Sequence, residues 1–159
     1  MRQRVALAGL TGGVSLLGMY YWWRHRHDGS GVGYVNGKPI TLTLVTVDGK
    51  PVEVSTAAAF AQLRAAARAH GVNLRVVSGF RTFDEQEHLH QCFLTGRRNN
   101  GNFAQPPGYS SHQSGRALDL TVRADGTLSW LRENARLFHF YETVPDEPWH
   151  WEWLPPTPV

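Results

Sequence analysis

The chain has 159 residues, 42% hydrophobic and 18% charged, a composition that excludes a disordered polypeptide and predicts one folded domain. The net charge of +3 lies within residues 1–30, which hold four arginines and one aspartate, while the remaining 12 basic and 12 acidic residues cancel. This balance speaks against a nucleic-acid-binding surface, and the single cysteine excludes an internal disulfide.

The first 28 residues predict an uncleaved membrane anchor that forms an N-terminal transmembrane helix. Residues 5–23 are 19 positions without a charge, enough to span a bilayer, and they end in aromatic residues that suit a membrane interface. A cleaved signal peptide has a shorter apolar stretch and a small-residue cleavage site, which we do not find. The Gly/Ser-rich residues 29–33 predict a flexible linker, so the folded domain is expected at residues 34–159.

The domain begins with a predicted hairpin and a helix. Residues 41–47 alternate in apolar and β-branched side chains, an Asp-Gly pair supplies a turn, and residues 52–54 return. Apolar residues at helical spacing follow, with Ser55 or Thr56 as the expected cap and Gly71 as the end of the helix.

The middle of the domain predicts one more strand and helix before a long loop. Residues 73–78 read as a short strand, and a second helix is expected from Thr82 or Asp84 to about Leu94. Residues 95–108 are polar and rich in Gly, Asn and Pro, so we expect a loop, and long loops in compact domains often carry function.

The last third predicts a strand at 117–122, a helix at 128–137 and a final strand at 149–153. In the final strand, side chains alternate between faces, which places His150 and Glu152 on one face and three tryptophans on the other. Together these elements predict an α+β fold in which a small antiparallel sheet is flanked by helices.

Three residues near predicted strand ends and turns form a candidate metal site: His112, Asp119 and His150. Two imidazoles and one carboxylate leave a fourth position for water, as in a catalytic zinc site. Hydrolysis also needs a base that is not a ligand, and Glu147 is suitably placed because Pro148 restricts its conformation.

Three motifs in order carry a family resemblance. They are SGxR[ST]xxxQ at residues 78–86, GxSxHxxGxAxD at 108–119 and ExWH at 147–150. The chain resembles the VanY-type zinc D-alanyl-D-alanine carboxypeptidases of the Hedgehog/DD-peptidase superfamily over about residues 55–153. The resemblance implies zinc as the cofactor, a Hedgehog/DD-peptidase-like fold and a peptidoglycan stem peptide as the substrate.

The same resemblance implies roles for the remaining motif residues. Glu147 would move a proton from the zinc-bound water to the leaving amine, while Arg81 would bind the substrate and stabilise the oxyanion. Gln86 and Ser110 would contact the substrate or support the site. Gln86 also lies on an apolar helix face, so it could instead satisfy backbone groups.

Two other functions remain open at this point. A phage-type endopeptidase that cleaves between L-alanine and D-glutamate would carry the same motifs, and a non-enzymatic wall-binding module could keep zinc without hydrolysis. Glu147 and Arg81 together favour an enzyme. Because cell-wall peptide lies outside the cytoplasmic membrane, we expect the domain to face the periplasm or the exterior.

Overall fold

The computed structural model describes residues 29–96 and 103–156. The predicted anchor at residues 1–28 and the middle of the predicted loop, residues 97–102, lie outside the described residues. Within the described residues, no helix has the length and apolar character needed to cross a membrane.

The first sheet has three antiparallel strands in the order β1 (Gly29–Val35), β2 (Lys38–Val47) and β3 (Lys50–Glu53). The predicted hairpin is confirmed as β2 and β3. The two residues of its turn, Asp48 and Gly49, both have positive φ angles of 52° and 78°, which the mirror-image hairpin turn requires.

The prediction of a flexible linker at residues 29–33 is wrong, because these residues form most of strand β1 and pair with β2. Glycine makes the close packing possible. A Cβ atom on Gly31 would lie 2.7 Å from Leu44 Cδ1, and one on Gly33 would lie 2.6 Å from the carbonyl oxygen of Gln113. The glycines of this strand thus allow neighbouring groups to approach the backbone closely, and they do not make the segment a flexible linker.

The second sheet holds β4 (Val76–Ser78), β5 (Ala117–Leu120), β6 (Phe140–Glu142) and β7 (His150–Trp153) in the order β4-β5-β7-β6. All its pairings are antiparallel. Strand β6 falls in a segment for which the sequence predicted no element. The sheet places β5 beside β7, so a residue of one strand lies directly opposite a residue of the other.

In residues 29–96 and 103–156, three α-helices accompany the sheets: α1 (Val54–Ala69), α2 (Phe83–Thr95) and α3 (Thr127–Asn134), the last continued by a 3₁₀ helix (Ala135–Phe138). Helix α1 is capped by Glu53, whose carboxylate accepts from two backbone N–H groups, so neither Ser55 nor Thr56 is the cap. Thr82 caps α2 in a reciprocal capping box with Glu85. Of the two predicted starts of this helix, the one at Thr82 is therefore confirmed.

The core lies between α1, the second sheet and the α3 region. Its largest fully buried side chains include Phe60, Leu63, Leu118, Phe140 and Trp151. This arrangement confirms the predicted α+β class with small antiparallel sheets and flanking helices. It also anchors β5 and β7 from one side, which leaves their opposite face available for polar residues.

Candidate metal centre

Three buried residues, His112, Asp119 and His150, offer ligand atoms that all lie within 4.8 Å of one another. Asp119 on β5 stands directly opposite His150 on β7 in the strand register. Nε2 of His112 and Nδ1 of His150 each lie 3.3 Å from the same carboxylate oxygen, Oδ1 of Asp119. The sheet and the turn before β5 thus bring together the three residues that the sequence suggested.

The ring of His112 is oriented by a backbone carbonyl. Its Nδ1 lies 2.7 Å from the carbonyl oxygen of Gly79, and because a carbonyl only accepts hydrogen bonds, Nδ1 carries the proton. The other nitrogen, Nε2, therefore presents a lone pair, and it is buried with no hydrogen-bond partner among the residues that the structure describes. An unsatisfied buried acceptor is costly in free energy, but it is what a metal ligand needs.

The ring of His150 is held from both sides. Its Nδ1 faces Asp119, and its Nε2 lies 3.2 Å from Oε1 of Glu152 and 3.4 Å from Oγ of Ser111. Burial by itself lowers the pKa of His150, but the hydrogen bonds to Asp119 and Glu152 outweigh it and raise the pKa to about 9. In the absence of a metal, this imidazole therefore carries a proton at neutral pH.

The other two groups have the opposite charge states. Burial lowers the pKa of His112, so its ring is neutral at pH 7. Burial alone would raise the pKa of Asp119, but the two facing imidazoles and the guanidinium of Arg81 hold it well below its usual range. The site thus has one neutral imidazole, one carboxylate and one imidazolium that becomes a ligand when it releases its proton. These three groups suit a zinc ion with an open coordination position.

Arg81 contacts the cluster through Asp119. Its Nη2 lies 3.0 Å from Oδ2 of the carboxylate, the oxygen that does not face the two imidazoles. Burial lowers the pKa of Arg81, yet an arginine so paired stays charged at neutral pH. The guanidinium therefore orients the aspartate and at the same time lines the cleft beside it.

Gln86 is almost fully buried at 1% exposure. Its Nε2 donates to the carbonyl of Gln105 at 2.7 Å, and its Oε1 is 3.5 Å from Nη1 of Arg81. These contacts favour the second of the two sequence interpretations, in which Gln86 satisfies backbone groups and supports its neighbours.

Glu147 and Ser110 line the same cleft, which has a volume of about 610 Å³. Glu147 precedes β7, and its carbonyl accepts from the backbone N–H of His150 at 2.9 Å. This hydrogen bond holds the backbone of Glu147 close to the candidate metal ligands. Burial, with a smaller contribution from Asp119, raises the pKa of Glu147 above its ordinary value. A carboxylate with a raised pKa in a cleft is a suitable general base.

The sequence did not assign functions to Glu152 or to the β1–β2 turn. Strand alternation placed Glu152 on the face of His150, and that pattern was the available signal for their contact. Tyr34 and Val35 at the end of β1 and Asn36 of the turn line the cleft, and the backbone N–H of Tyr34 donates to the carbonyl of Gln113 at 2.9 Å. No local sequence pattern predicts such a long-range contact.

Comparison with protein families identifies one matching family model, described as VanY, D-alanyl-D-alanine carboxypeptidase, over residues 50–156. Among relatives, the D-alanyl-D-alanine carboxypeptidase of Enterococcus faecalis (strain ATCC 700802 / V583) is 28% identical, with 67% of this chain and 50% of the relative covered. The Bacillus subtilis (strain 168) protein YodJ is 30% identical, over 54% of this chain and 40% of that protein. The chain thus spans half or less of these relatives.

Solved structures show the same fold. The vancomycin resistance D,D-pentapeptidase VanY from the VanB-type resistance cassette, a mutant in complex with Zn(II), is 27% identical with a TM-score of 0.59, covering 70% of this chain and 78% of that one. VanYB in complex with D-alanine-D-alanine is 28% identical with a TM-score of 0.59, covering 70% and 77%.

Proposed function

The chain belongs to the VanY family of D-alanyl-D-alanine carboxypeptidases, and we propose that it hydrolyses the terminal peptide bond of peptidoglycan stem peptides that end in D-alanine. The family that the three motifs suggested is thereby confirmed. The proposed reaction is hydrolysis with a zinc ion held by His112, Asp119 and His150. A related enzyme is known in complex with Zn(II), and another in complex with D-alanine-D-alanine.

One observation carries this proposal. Nε2 of His112 is buried and has no hydrogen-bond partner in the described part of the chain. It points to the same carboxylate oxygen as Nδ1 of His150, in a cleft that also holds Glu147. A purely structural cluster would have satisfied that nitrogen. A metal ion supplies the missing partner, and the glutamate supplies a base that is not a ligand.

When bound, zinc would lower the pKa of a coordinated water to about 7 and polarise the scissile carbonyl. Glu147 would accept the proton of the attacking water, because burial raises its pKa above the ordinary value and makes it a better base. It would then donate that proton to the amine of the departing D-alanine. Each cycle thus breaks one peptide bond and returns the glutamate to its carboxylate form.

Arg81 would act on the substrate from the cleft wall. It keeps its charge, and while Nη2 is bound to Asp119, its other nitrogens remain able to donate to a carboxylate or to the developing oxyanion. Ser110 lies in the same cleft, where it would add a contact to the stem peptide. Gln86 would help to hold Arg81 in place through the contact between its Oε1 and Nη1 of the arginine.

The proposed substrate also bears on location. Stem peptides of the cell wall lie outside the cytoplasmic membrane, so the domain is proposed to work in the periplasm or at the cell exterior, held there by the predicted anchor in residues 1–28. This placement is tested by fusing residues 1–33 to a reporter and measuring whether protease added to intact cells digests the reporter. A reporter that stays protected in intact cells argues against it.

The enzymatic proposal is tested by digestion of purified muropeptides and mass analysis of the products. Pentapeptide stems should lose a single alanine, and the loss should depend on zinc and stop with a chelator. Release of the whole stem would instead show the phage-type endopeptidase. If the zinc-loaded protein leaves all stems intact, the proposed function is wrong.

Glu147→Gln separates an enzyme from a zinc-containing binding module. The variant should keep its zinc, because Glu147 is not among the clustered ligand residues, and should release little D-alanine. A variant that keeps both zinc and full activity would exclude Glu147 as the base.

A further inference from the structure

Glu152 contacts His150 on the side away from Asp119, and it is not one of the three candidate metal ligands. Oε1 of Glu152 lies 3.2 Å from Nε2 of His150, the ring nitrogen that faces away from Asp119. His150 is 5% exposed, so few alternative partners can reach that nitrogen. The contact therefore gives the hydrogen on Nε2 an acceptor, so that Nδ1 is the nitrogen that can give up its hydrogen to a metal.

The position of Glu152 is fixed by the sheet. In the strand register, Glu152 stands between Ala117 of β5 and Tyr141 of β6. Because residues two apart on a strand share a face, its side chain lies beside that of His150. A backbone paired on both sides holds the carboxylate more rigidly than a loop would.

Thr143 orients the carboxylate itself. Its hydroxyl donates to Oε1 of Glu152 at 2.8 Å, and the same oxygen faces Nε2 of His150. A hydroxyl and an imidazole N–H can both donate to one carboxylate oxygen, because a carboxylate accepts several hydrogen bonds. The hydroxyl thereby selects the oxygen that meets the histidine.

From this geometry we propose that Glu152 is a positioning residue that keeps the hydrogen of His150 on Nε2, so that Nδ1 presents a lone pair to the metal. The proposal rests on the proposed function, which supplies the metal. Carboxylate partners of this kind fix the tautomer and ring orientation of metal-bound histidines. Glu152 also lines the cleft, but in this role it acts through His150.

The first test measures zinc affinity by competition with a chromophoric chelator in the full-length protein. Glu152→Ala should weaken zinc binding by about 10-fold to 100-fold, the usual effect of removing such a partner. Glu152→Gln keeps an oxygen that can accept from Nε2, so it should recover at least half of the loss on a logarithmic scale. An Ala variant with wild-type affinity, or a Gln variant without recovery, overturns the proposal.

Glu142→Ala is the matched control, because it removes a carboxylate from the neighbouring strand that pairs with Arg132 and not with a histidine. Its zinc affinity should equal that of the wild type. If Glu142→Ala weakens zinc as much as Glu152→Ala, the effect is general electrostatics and the proposal fails.

The absorption spectrum of the cobalt(II)-substituted protein gives a readout that does not depend on activity. Loss of Glu152 frees the His150 ring to turn, so the visible bands of Glu152→Ala should shift, whereas those of Glu142→Ala should match the wild type. Unchanged bands in the Glu152→Ala protein contradict the proposal.

If Glu152→Ala does not fold without metal, Thr143→Val carries the test. It removes only the hydroxyl that orients the carboxylate, so zinc affinity should fall by a smaller factor, and an unchanged affinity overturns the proposal. Failure of the proposed function is distinguishable, because the wild type itself would then bind no zinc or release no D-alanine.

Discussion

Zinc binding to the metal-free protein should release one proton, and that proton should come from His150. Hydrogen bonds to Asp119 and Glu152 raise the pKa of His150 to about 9, against burial. The other two ligand residues contribute none: burial lowers the pKa of His112, and the pKa of Asp119 lies well below its usual range. The metal must therefore displace a hydrogen from one imidazole only.

The magnitude follows from the distance between that pKa and the working pH. At pH 7, about two pH units below the pKa of His150, removing the proton costs about 2.7 kcal/mol, which weakens zinc binding about 100-fold. From pH 6 up to about pH 8.5, the affinity should rise about tenfold per pH unit from this group alone. The increase should level off above pH 9.

Isothermal titration calorimetry measures the proton directly. Zinc is titrated at pH 6 in buffers with different ionisation enthalpies, where a zinc-bound water with a pKa near 7 stays mostly protonated. The observed enthalpy should vary with the buffer by an amount equal to about one proton. No buffer dependence, together with an affinity that is flat between pH 6 and pH 8, would refute the assigned charge state of His150.

Three further predictions address stability, catalysis and packing. With a chelator present, the raised pKa of His150, from 6.5 to about 9, adds stability that is complete below pH 6.5 and is lost as the pH rises through 9. The free energy of unfolding from urea titrations should therefore fall by up to about 3 kcal/mol between pH 6 and pH 9.5, and an equal or higher value at pH 9.5 contradicts this. Glu147→Gln should lower kcat by about 10²-fold to 10⁴-fold at unchanged zinc content, and a loss under tenfold would exclude it as general base. Gly33→Ala should destabilise the protein by about 1–3 kcal/mol, because its Cβ would lie 2.6 Å from the carbonyl oxygen of Gln113. Gly31→Ala, whose Cβ meets the flexible end of Leu44, should have a smaller effect in thermal unfolding, and equal effects would contradict this reasoning.

The grouping of His112, Asp119 and His150 could be predicted from the sequence because its signals are local. His112 and Asp119 flank one short turn, and His150 lies in a strand whose strict alternation fixes its face. Strand pairing then only had to bring Asp119 opposite His150. Zinc chemistry restricts the choice further, since a catalytic zinc site combines three protein ligands with one open position.

Other features depended on contacts that a sequence does not display. Strand β1 carries glycines where strands usually carry β-branched residues, and its state follows from pairing with β2. The cap of α1 is Glu53 rather than a serine or threonine, because its carboxylate reaches two backbone N–H groups across the end of β3. The contact of Glu152 with His150 was implied by strand alternation, but the hydrogen bond to Glu152 comes from Thr143, the residue that follows β6.

The end of the β1–β2 hairpin contributes to the cleft although it precedes the residues that match the family model. That model matches from residue 50, yet Tyr34, Val35 and Asn36 line the cleft. Backbone hydrogen bonds join this turn to both ends of the loop that carries His112, through Tyr34 to Gln113 and through Gly37 to Gly108, each at 2.9 Å. A rigid loop keeps Nε2 of His112 aimed at Asp119, so the turn supports the metal cluster as well as the cleft wall. Removing residues 29–49 would therefore leave the ligands in the sequence but take away the contacts that hold one of them in place.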